Sequence, residues 1–282
     1  MKTRPARVYI YGEPRAASLE IEKIKSFVGE KTGFEVGVRP SIFDSFLNQK
    51  AGGAAAENLA EKLARCKVRD LTKPISLTPL KGEIDYEKNR ITDPDSRAYG
   101  LLYDGFKLVS IFSGLLPEAE KNLSFIHIIF TNQLVGTWDP GDRRYHARVA
   151  VFSFPSIIST AGVVEAPAKP KEYYWLKQQT LSLGLDVRTL ADFKKEHQRE
   201  LLEHDDPRLT EVLKGYVLQA IYQHLGAELF CEDKNCRLFN AHWQKEVIKA
   251  QLEGEYEFCP KHQRFFQQLR EKTEKRGIVG AK

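Results

Sequence analysis

The sequence predicts an α/β fold with a mixed sheet and flanking helices, followed by a small C-terminal helical subdomain that zinc stabilises. Short apolar runs alternate with helical patterns over the first 67 residues, which is typical of strands joined by crossover helices. The run Phe125–Thr131 is almost entirely apolar and suits a strand buried on both faces. Near the carboxyl end, Cys231 with Cys236 and Cys259 with His262 are spaced like the ligand pairs of structural zinc sites.

The amino-terminal part, taken in order, predicts two strands and two helices. Val8–Tyr11 is a short apolar run and is the first predicted strand. Ala17–Gly33 carries apolar residues at helical spacing, and its final glycine is a typical helix stop. A second strand at Phe34–Val38 and a second helix at Ala54–Lys67 complete a β-α-β-α order.

The middle section, residues 73–122, predicts hairpins. Its first part is polar and contains three prolines, and a small hairpin is predicted at Glu83–Thr92. Asp104 and Gly105 stand between two apolar runs. Asp-Gly between apolar runs is a strong signal for a two-residue hairpin.

The section after Asn122 predicts the remaining strands and the helices that pack on them. His127 is predicted to be a core residue of the first of these strands. Arg148–Phe154 and Ile157–Val164 are further predicted strands, and residues 166–171 form a proline-rich loop. The helices predicted after this loop are Tyr173–Leu183, Leu190–Leu202, Leu209–Leu229, Ala241–Leu252 and Phe265–Lys275.

Composition and charge limit the classes of function. With 282 residues the chain can bury one large core, and a net charge of +5 is too weak by itself to indicate nucleic-acid binding. No apolar run reaches transmembrane length, and the amino terminus lacks the apolar core of a signal peptide. Four cysteines, three at metal-ligand spacing, argue against a disulfide framework. We therefore expect a cytoplasmic protein without a membrane partner, and we do not expect nucleic acid as its partner.

The predicted cofactor is one structural zinc ion. Cys231-x4-Cys236 is followed, after 22 intervening residues, by Cys259-x2-His262. Zn²⁺ prefers thiolate and imidazole, and two short ligand pairs at a fixed separation can close a tetrahedral shell. The alternative is a set of three reduced, buried cysteines beside a surface histidine.

The stretch that ends at His262 resembles the end of the catalytic region of archaemetzincins, the archaeal-type zinc metallopeptidases. In that family a helix carries HExxHxxGxxH, a cysteine follows directly, and the pattern continues as C-x4-C, a methionine and a C-x2-C pair. Aligned backwards from Cys231, both ligand pairs are kept, with His262 in place of the last cysteine. The family's His, Glu, His, Gly, His and Met positions are occupied here by Ala220, Ile221, His224, Ala227, Phe230 and Leu238.

The resemblance implies a zincin-like body and a separate zinc knuckle. The body would span residues 1–230, with residues 73–122 as an elaboration specific to this branch. The knuckle and C-terminal helices would span residues 231–282. The family ancestry is that of a metallopeptidase.

The resemblance also implies that the catalytic motif is almost erased, because only His224 survives. A zincin site needs two histidines four residues apart on one helix face, and a glutamate that accepts a proton from bound water. At ~100° per residue, Leu213, Val217, Ala220 and His224 share one stripe. The helix face that would hold the metal is therefore apolar.

Three functional hypotheses remain open. The first is a pseudoenzyme, an archaemetzincin-like protein that is held together by structural zinc and binds a protein or peptide. The second is an active metallopeptidase with atypical ligands, drawn from residues that only the fold could bring together: His146, Glu165, His224 and His242. The third is a zinc-stabilised nucleic-acid-binding protein, which the basic cluster at residues 143–148 favours.

The first hypothesis includes a binding surface. In metzincin-type proteases the substrate lies extended along an edge strand, and the resemblance suggests Arg148–Phe154 for that strand. Strand alternation predicts Val149, Val151 and Ser153 on one face and Ala150, Phe152 and Phe154 on the other. Aromatic residues after the proline-rich loop would act as anchors. The predicted binding residues are Arg148, Phe152, Tyr173, Tyr174 and Trp175.

Overall fold

The computed structural model describes residues 7–48, 53–75, 77–93, 95–96, 100–183, 187–228 and 230–279. Within these ranges the chain forms an α/β fold with a mixed sheet and flanking helices, which confirms the predicted fold class. The strands are β1 (Arg7–Tyr11), β2 (Val36–Arg39), β3 (Leu102–Asp104), β4 (Phe125–Thr131), β5 (Leu134–Asp139), β6 (Arg144–Arg148), β7 (Ala150–Val151) and β8 (Ser156–Ser159). The helices are α1 (Ile21–Thr32), α2 (Ile42–Leu47), α3 (Gly53–Ala64), α4 (Lys81–Thr92), α5 (Gly105–Leu115), α6 (Gly162–Glu165), α7 (Lys171–Leu183), α8 (Val187–Glu196), α9 (Leu209–His224), α10 (Gln244–Leu252) and α11 (Pro260–Val279).

The main sheet has the strand order β2-β1-β4-β8-β7. β1 pairs in parallel with β2 and β4, and β4 pairs in parallel with β8. β7 runs antiparallel to β8 at the edge, and this pairing makes the sheet mixed. A smaller sheet has the order β3-β5-β6, in which β5 and β6 form an antiparallel hairpin.

Both faces of the main sheet are covered, because alternate side chains enter two different cores. Val8 and Ile10 of β1 point into a core that they share with α1 and α9. Tyr11, the next residue, lies in a second core with residues of α3 and α5. Strand β4 is interior, with a parallel neighbour on each side. This position accounts for its nearly continuous apolar sequence and confirms the predicted buried strand.

Helix α9 lies at the centre of the larger core. Every residue from Gly215 to Tyr222 is buried, as expected of a helix that is apolar on all sides. The helix ends at His224, and Gly226 follows in the left-handed conformation with φ of 77°, which glycine adopts without strain. The predicted end at Leu229 lies outside the described residues.

Both predicted hairpins of the middle section are wrong. The first is helix α4, and the Glu83 carboxylate caps it by accepting a hydrogen bond from the Leu80 N–H at 2.8 Å. At the second, Asp104 ends β3 and caps α5, because its carboxylate accepts from the N–H groups of Phe106 and Lys107, both at 3.1 Å. The Asp-Gly pair therefore marks a junction between a strand and a helix.

The predicted strand Arg148–Phe154 is divided between the two sheets. Arg148 ends β6 in the small sheet, and β7 in the main sheet begins two residues later. The predicted alternation of faces holds for Ala150, Val151 and Phe152 but is wrong for Val149 and Phe154. Val149, Ala150 and Phe152 pack against the core that contains α9, whereas Val151 lies in the other core. The chain turns at Val149 as it passes between sheets, and this turn shifts the alternation.

The C-terminal residues share a core with the sheet. Cys236, Leu238 and Phe266 belong to the same buried cluster as Val8 and Val217. The division at residue 230 and the elaboration at residues 73–122 remain predictions. Of the helices in the described ranges, none combines the length and apolar character needed to span a bilayer.

Candidate functional site

The four predicted zinc ligands converge. Cys231, Cys236, Cys259 and His262 are buried, and their ligand atoms all lie within 4.8 Å of one another. The Cys231 and Cys259 sulfurs are 3.8 Å apart, and His262 Nδ1 is 3.4 Å from Cys236 Sγ and 3.1 Å from Cys259 Sγ. A tetrahedral zinc ion holds two sulfurs about 3.8 Å apart, and a sulfur and a nitrogen about 3.5 Å apart. The four side chains therefore fit zinc.

Local hydrogen bonds shape both arms of this cluster. On the first arm, Cys231 N–H donates to Leu238 O at 2.9 Å, so the chain between them folds into a knuckle. The second arm begins α11: Pro260 is its first residue, where a missing N–H costs nothing, and His262 follows on the first turn. Arg237 N–H donates to Glu257 O at 3.1 Å and joins the two arms.

Burial disfavours the charged forms of Cys231, Cys236 and His262. It raises the pKa of the Cys231 thiol, and it raises the pKa of Cys236 to about 12. It also lowers the pKa of the His262 imidazole. A divalent cation binds thiolate and neutral imidazole. It would therefore lower the pKa values of the thiols against the effect of burial, and it would bind the neutral imidazole that burial favours. The His262 ring is held by a perpendicular contact with Tyr222, at 5.0 Å between centroids.

The helix positions that the resemblance equates with the catalytic motif lie in different surroundings. Ala220 and Ile221 have no exposed surface and lie in the core. His224 Nε2 is 3.1 Å from Leu123 O, and burial lowers the pKa of this imidazole. Phe230 is 42% exposed and its ring centroid lies 6.2 Å from that of Phe152.

A cavity of about 230 Å³ lies between the edge of the main sheet and α9. Arg148, Ala150 and Phe152 line its strand side, and Tyr216 and Gln219 line its helix side. Residues 239–242, which follow the first knuckle, complete the wall. β7 is the edge strand, because its pairing within the described residues is with β8 alone.

The predicted binding residues are only partly brought together. Arg148 and Phe152 line the cavity, but Tyr173, Tyr174 and Trp175 lie on α7 and do not. Tyr173 is buried, whereas Tyr174 and Trp175 are exposed.

The residues considered for a rebuilt catalytic centre are brought together only in pairs. His146 and His242 line this cavity, and His146 and Glu165 line a second cavity, where Glu165 lies 3.4 Å from His204. In the part of the chain that the structure describes, a second group of potential ligands comprises Asp139, Asp142 and His146, at the exposed turn between β5 and β6. Exposed acidic groups of this kind are common without a metal.

Sequence reasoning did not identify Gln219. This residue is 1% exposed and lies inside the fully buried part of α9. A neutral amide within an otherwise apolar run was the available signal, because buried amides need partners.

One protein family and two solved structures are similar to this chain. Residues 4–269 match the model of a family described as "Probable metallopeptidase family (DUF6775)". The archaemetzincin of Methanopyrus kandleri is similar in structure, with 12% identity, a TM-score of 0.44 and coverage of 95% of this chain and 97% of that chain. A zinc-dependent peptidase from Methanocorpusculum labreanum shows 11% identity, a TM-score of 0.44 and coverage of 92% and 98%. No curated protein matches the sequence.

Proposed function

The chain belongs to the Probable metallopeptidase family (DUF6775), and from that premise we propose that it is a zinc-stabilised, non-catalytic member that binds an extended peptide. One contrast carries the proposal. The Cys3His cluster is complete, whereas Ala220 and Ile221, at the positions of the first histidine and the glutamate, are enclosed in the core. The cysteine usage also favours a reducing compartment, so we propose the cytoplasm.

The positions of the four ligands support the proposed structural role of zinc. Cys231 and Cys236 precede the cavity wall at residues 239–242, and Cys259 and His262 start α11. One ion would tie these two segments together. Structural zinc contributes on the order of 10 kcal/mol in small modules, so its removal should unfold at least the segment after Phe230.

The enclosed helix face supports the proposed absence of peptidase chemistry. A catalytic zinc must keep one coordination position open to water, and a glutamate must reach that water. Ala220 offers no ligand, Ile221 offers no base, and both have zero exposure. His224 alone could not hold the ion, and it points to the carbonyl of Leu123.

Binding of an extended peptide is supported by the edge strand and the cavity beside it. β7 presents main-chain groups at the edge of the main sheet, and such an edge can pair with an added strand. Phe152 and Phe230 provide apolar surface within the cavity region.

Metal content tests the zinc assignment. Freshly purified protein should contain one zinc per chain, and Cys231→Ser should lower both this content and the melting temperature. Cys66→Ser is the matched control, because Cys66 is also buried and forms no disulfide but belongs to the other core. Zinc-free protein whose melting is unaffected by a strong chelator would contradict the structural site, and two ions per chain would favour the active metallopeptidase.

Peptidase activity tests the loss of catalysis. We expect no zinc-dependent hydrolysis of unstructured peptides, and we expect His224→Leu to keep the fold, since it places an apolar residue beside Phe154. Zinc-dependent cleavage that His224→Leu abolishes would overturn this part of the proposal.

A further inference from the structure

The cavity contains a strong cation without a carboxylate partner. Arg148 ends β6, is exposed and lines the cavity wall. Its Nε donates a hydrogen bond to Thr137 Oγ1 at 2.9 Å. Within the described ranges no carboxylate lies within 4.0 Å of its guanidinium nitrogens. Its terminal nitrogens therefore remain available for the paired hydrogen bonds that arginine forms with a carboxylate.

The remainder of the cavity wall, as far as the structure describes it, carries no acidic side chain. His146, Asn240 and His242 line it together with Arg148 and apolar residues. The nearby acids belong to the turn between β5 and β6, and the charge of Arg148 is one of the effects that lower the pKa of Asp139. Asp142 Oδ2 is 2.9 Å from His146 Nε2, and Asp139 Oδ1 accepts two N–H groups of the turn at 2.8 and 3.3 Å. The described lining residues therefore place no carboxylate against a negatively charged ligand, and Asp139 acts on Arg148 only from beyond the wall.

Gln219 supplies a second, independent indication of a ligand. Its side-chain Nε2 donates to Phe239 O at 3.3 Å, and this contact fixes which end of the amide is the oxygen. Gln219 Oε1 is buried and has no hydrogen-bond partner among the described residues, although the side chain lines the cavity. A buried acceptor that stays unpaired is costly, so an N–H group from a bound molecule would be favoured at this point.

The apolar part of the wall limits the size of the ligand. Phe152, Tyr216 and Phe230 line a cavity of about 230 Å³. Pockets for whole small molecules are commonly about 300–1,000 Å³, so this one suits a short length of peptide better than a compact cofactor.

From these contacts we propose that the cavity recognises a carboxylate on an extended peptide. Arg148 binds the carboxylate, and Gln219 Oε1 accepts a hydrogen bond from a peptide N–H. The inference rests on the proposed function, because it takes peptide binding beside β7 as given and adds the chemistry that selects the peptide. The carboxylate can come from the peptide's C-terminus or from an acidic side chain, and both present the same planar anion.

Fluorescence anisotropy with four labelled peptides tests the proposal and separates these sources. The first is Gly-Ala-Phe-Ala-Phe with an uncharged BODIPY label on its amino terminus and a free carboxyl terminus, and the second is its C-terminal amide. The third and fourth are the amide with the central Phe replaced by Glu and by Gln. We expect at least one carboxylate peptide to bind about two- to fivefold more tightly than its uncharged match, because the charged pair forms at an exposed arginine, where water screens it. Added salt should weaken this preference.

Variants assign the preference to residues. Arg148→Gln should remove the preference for the carboxylate and leave the affinity for the uncharged peptides unchanged. Gln219→Leu should lower the affinity for all four peptides, because each peptide would lose the same acceptor for its N–H group. The matched control is Arg144→Gln, which removes an exposed arginine of the same strand that does not line this cavity. Zinc content should be that of the wild type in every variant, and the two arginine variants should also keep the wild-type melting temperature.

The outcomes distinguish the two proposals. Equal affinity for charged and uncharged peptides, or an unchanged preference in Arg148→Gln, would overturn the carboxylate site and leave peptide binding in place. If none of the four peptides binds, peptide binding itself is contradicted, and the carboxylate site with it.

Discussion

His127 should make the stability of this protein depend on pH between neutrality and pH 5. The residue is 1% exposed within β4. Tyr11 Oη is 3.3 Å from its Nδ1, and the backbone O of Glu120 is 3.3 Å from its Nε2. Because Arg39 donates to Tyr11 Oη at 2.8 Å, the tyrosine donates to Nδ1, and the proton of the neutral ring is on Nε2.

Two effects on this ring oppose each other, and burial is the larger. Burial lowers the pKa of His127 to about 4. The Glu120 carboxylate, 3.8 Å from Nε2, favours the charged ring. However, Arg39 engages both Glu120 oxygens, at 2.8 and 2.6 Å, and its own charge acts in the opposite direction. The carboxylate therefore offsets only part of the cost of burying an imidazolium.

The magnitude follows from the difference between the unfolded and folded pKa values. An exposed histidine has a pKa of about 6.5. The folded-state pKa is lower, so the stabilisation is complete above the unfolded value and is lost as pH falls towards the folded value. Between pH 7 and pH 5 the unfolded chain takes up a proton that the folded chain does not, which removes about 2 kcal/mol from the free energy of unfolding.

Urea denaturation at pH 7 and pH 5 measures this loss. We compare wild type with His127→Phe, which cannot titrate and keeps an aromatic ring beside Tyr9 and Phe154. Both chains carry the same cysteine cluster, so the effect of acid on metal binding cancels. Wild type should lose about 2 kcal/mol more than His127→Phe on going to pH 5. His197→Phe, on the surface segment after α8, should behave like wild type. Equal losses in wild type and His127→Phe would refute the reasoning.

Two further predictions concern the zinc cluster and the second core. A Cβ on Gly254 would lie 2.5 Å from the carbonyl oxygen of Asn235, beside the first knuckle. Gly254→Ala should therefore lower the affinity for zinc about tenfold, as measured by competition with a chelator. Gly114→Ala, with open space around it, should have no effect on zinc. Glu87 is fully buried between Lys67 and Arg90, so urea denaturation of Glu87→Gln should show a loss of about 3–5 kcal/mol. Glu57→Gln breaks an exposed pair and should cost less than about 1 kcal/mol.

The sequence was informative where a local pattern has one physical solution. The apolar run Phe125–Thr131 can be satisfied only by burial on both faces, and it is the interior strand β4. The cysteine and histidine spacing likewise anticipated which four side chains converge, because short ligand pairs leave little freedom.

The sequence was not informative where the same local pattern fits two different structures. Asp104-Gly105 fits a hairpin turn, yet the aspartate caps α5 and the glycine is required by packing. A Cβ on Gly105 would lie 2.7 Å from Val151 Cγ2 and 3.2 Å from Gly136 O. Both neighbours are distant in sequence, so no local signal could distinguish close packing from a turn.

The cavity depends on still longer-range contacts. Arg148 and Gln219 come from a small sheet and a central helix, and only the passage of the chain between sheets at Val149 brings the strand onto α9. The resemblance directed attention to the helix positions at 220, 221 and 224, but the cavity wall is formed by Tyr216 and Gln219. Side chains on a helix point in different directions at successive residues, so neighbouring positions face different surroundings.

The cysteine cluster and the cavity are parts of one connected structure. Cys231 N–H donates to Leu238 O at 2.9 Å, and Asn240 N–H donates back to Cys231 O at 3.1 Å. Phe239, which lies between Leu238 and Asn240, provides the carbonyl that orients the Gln219 amide. The knuckle therefore positions a cavity wall on its outer side, while its sulfurs face inward to His262. A metal bound by the four ligands would therefore also stabilise the cavity wall that orients Gln219, so that metal binding and peptide binding would be linked.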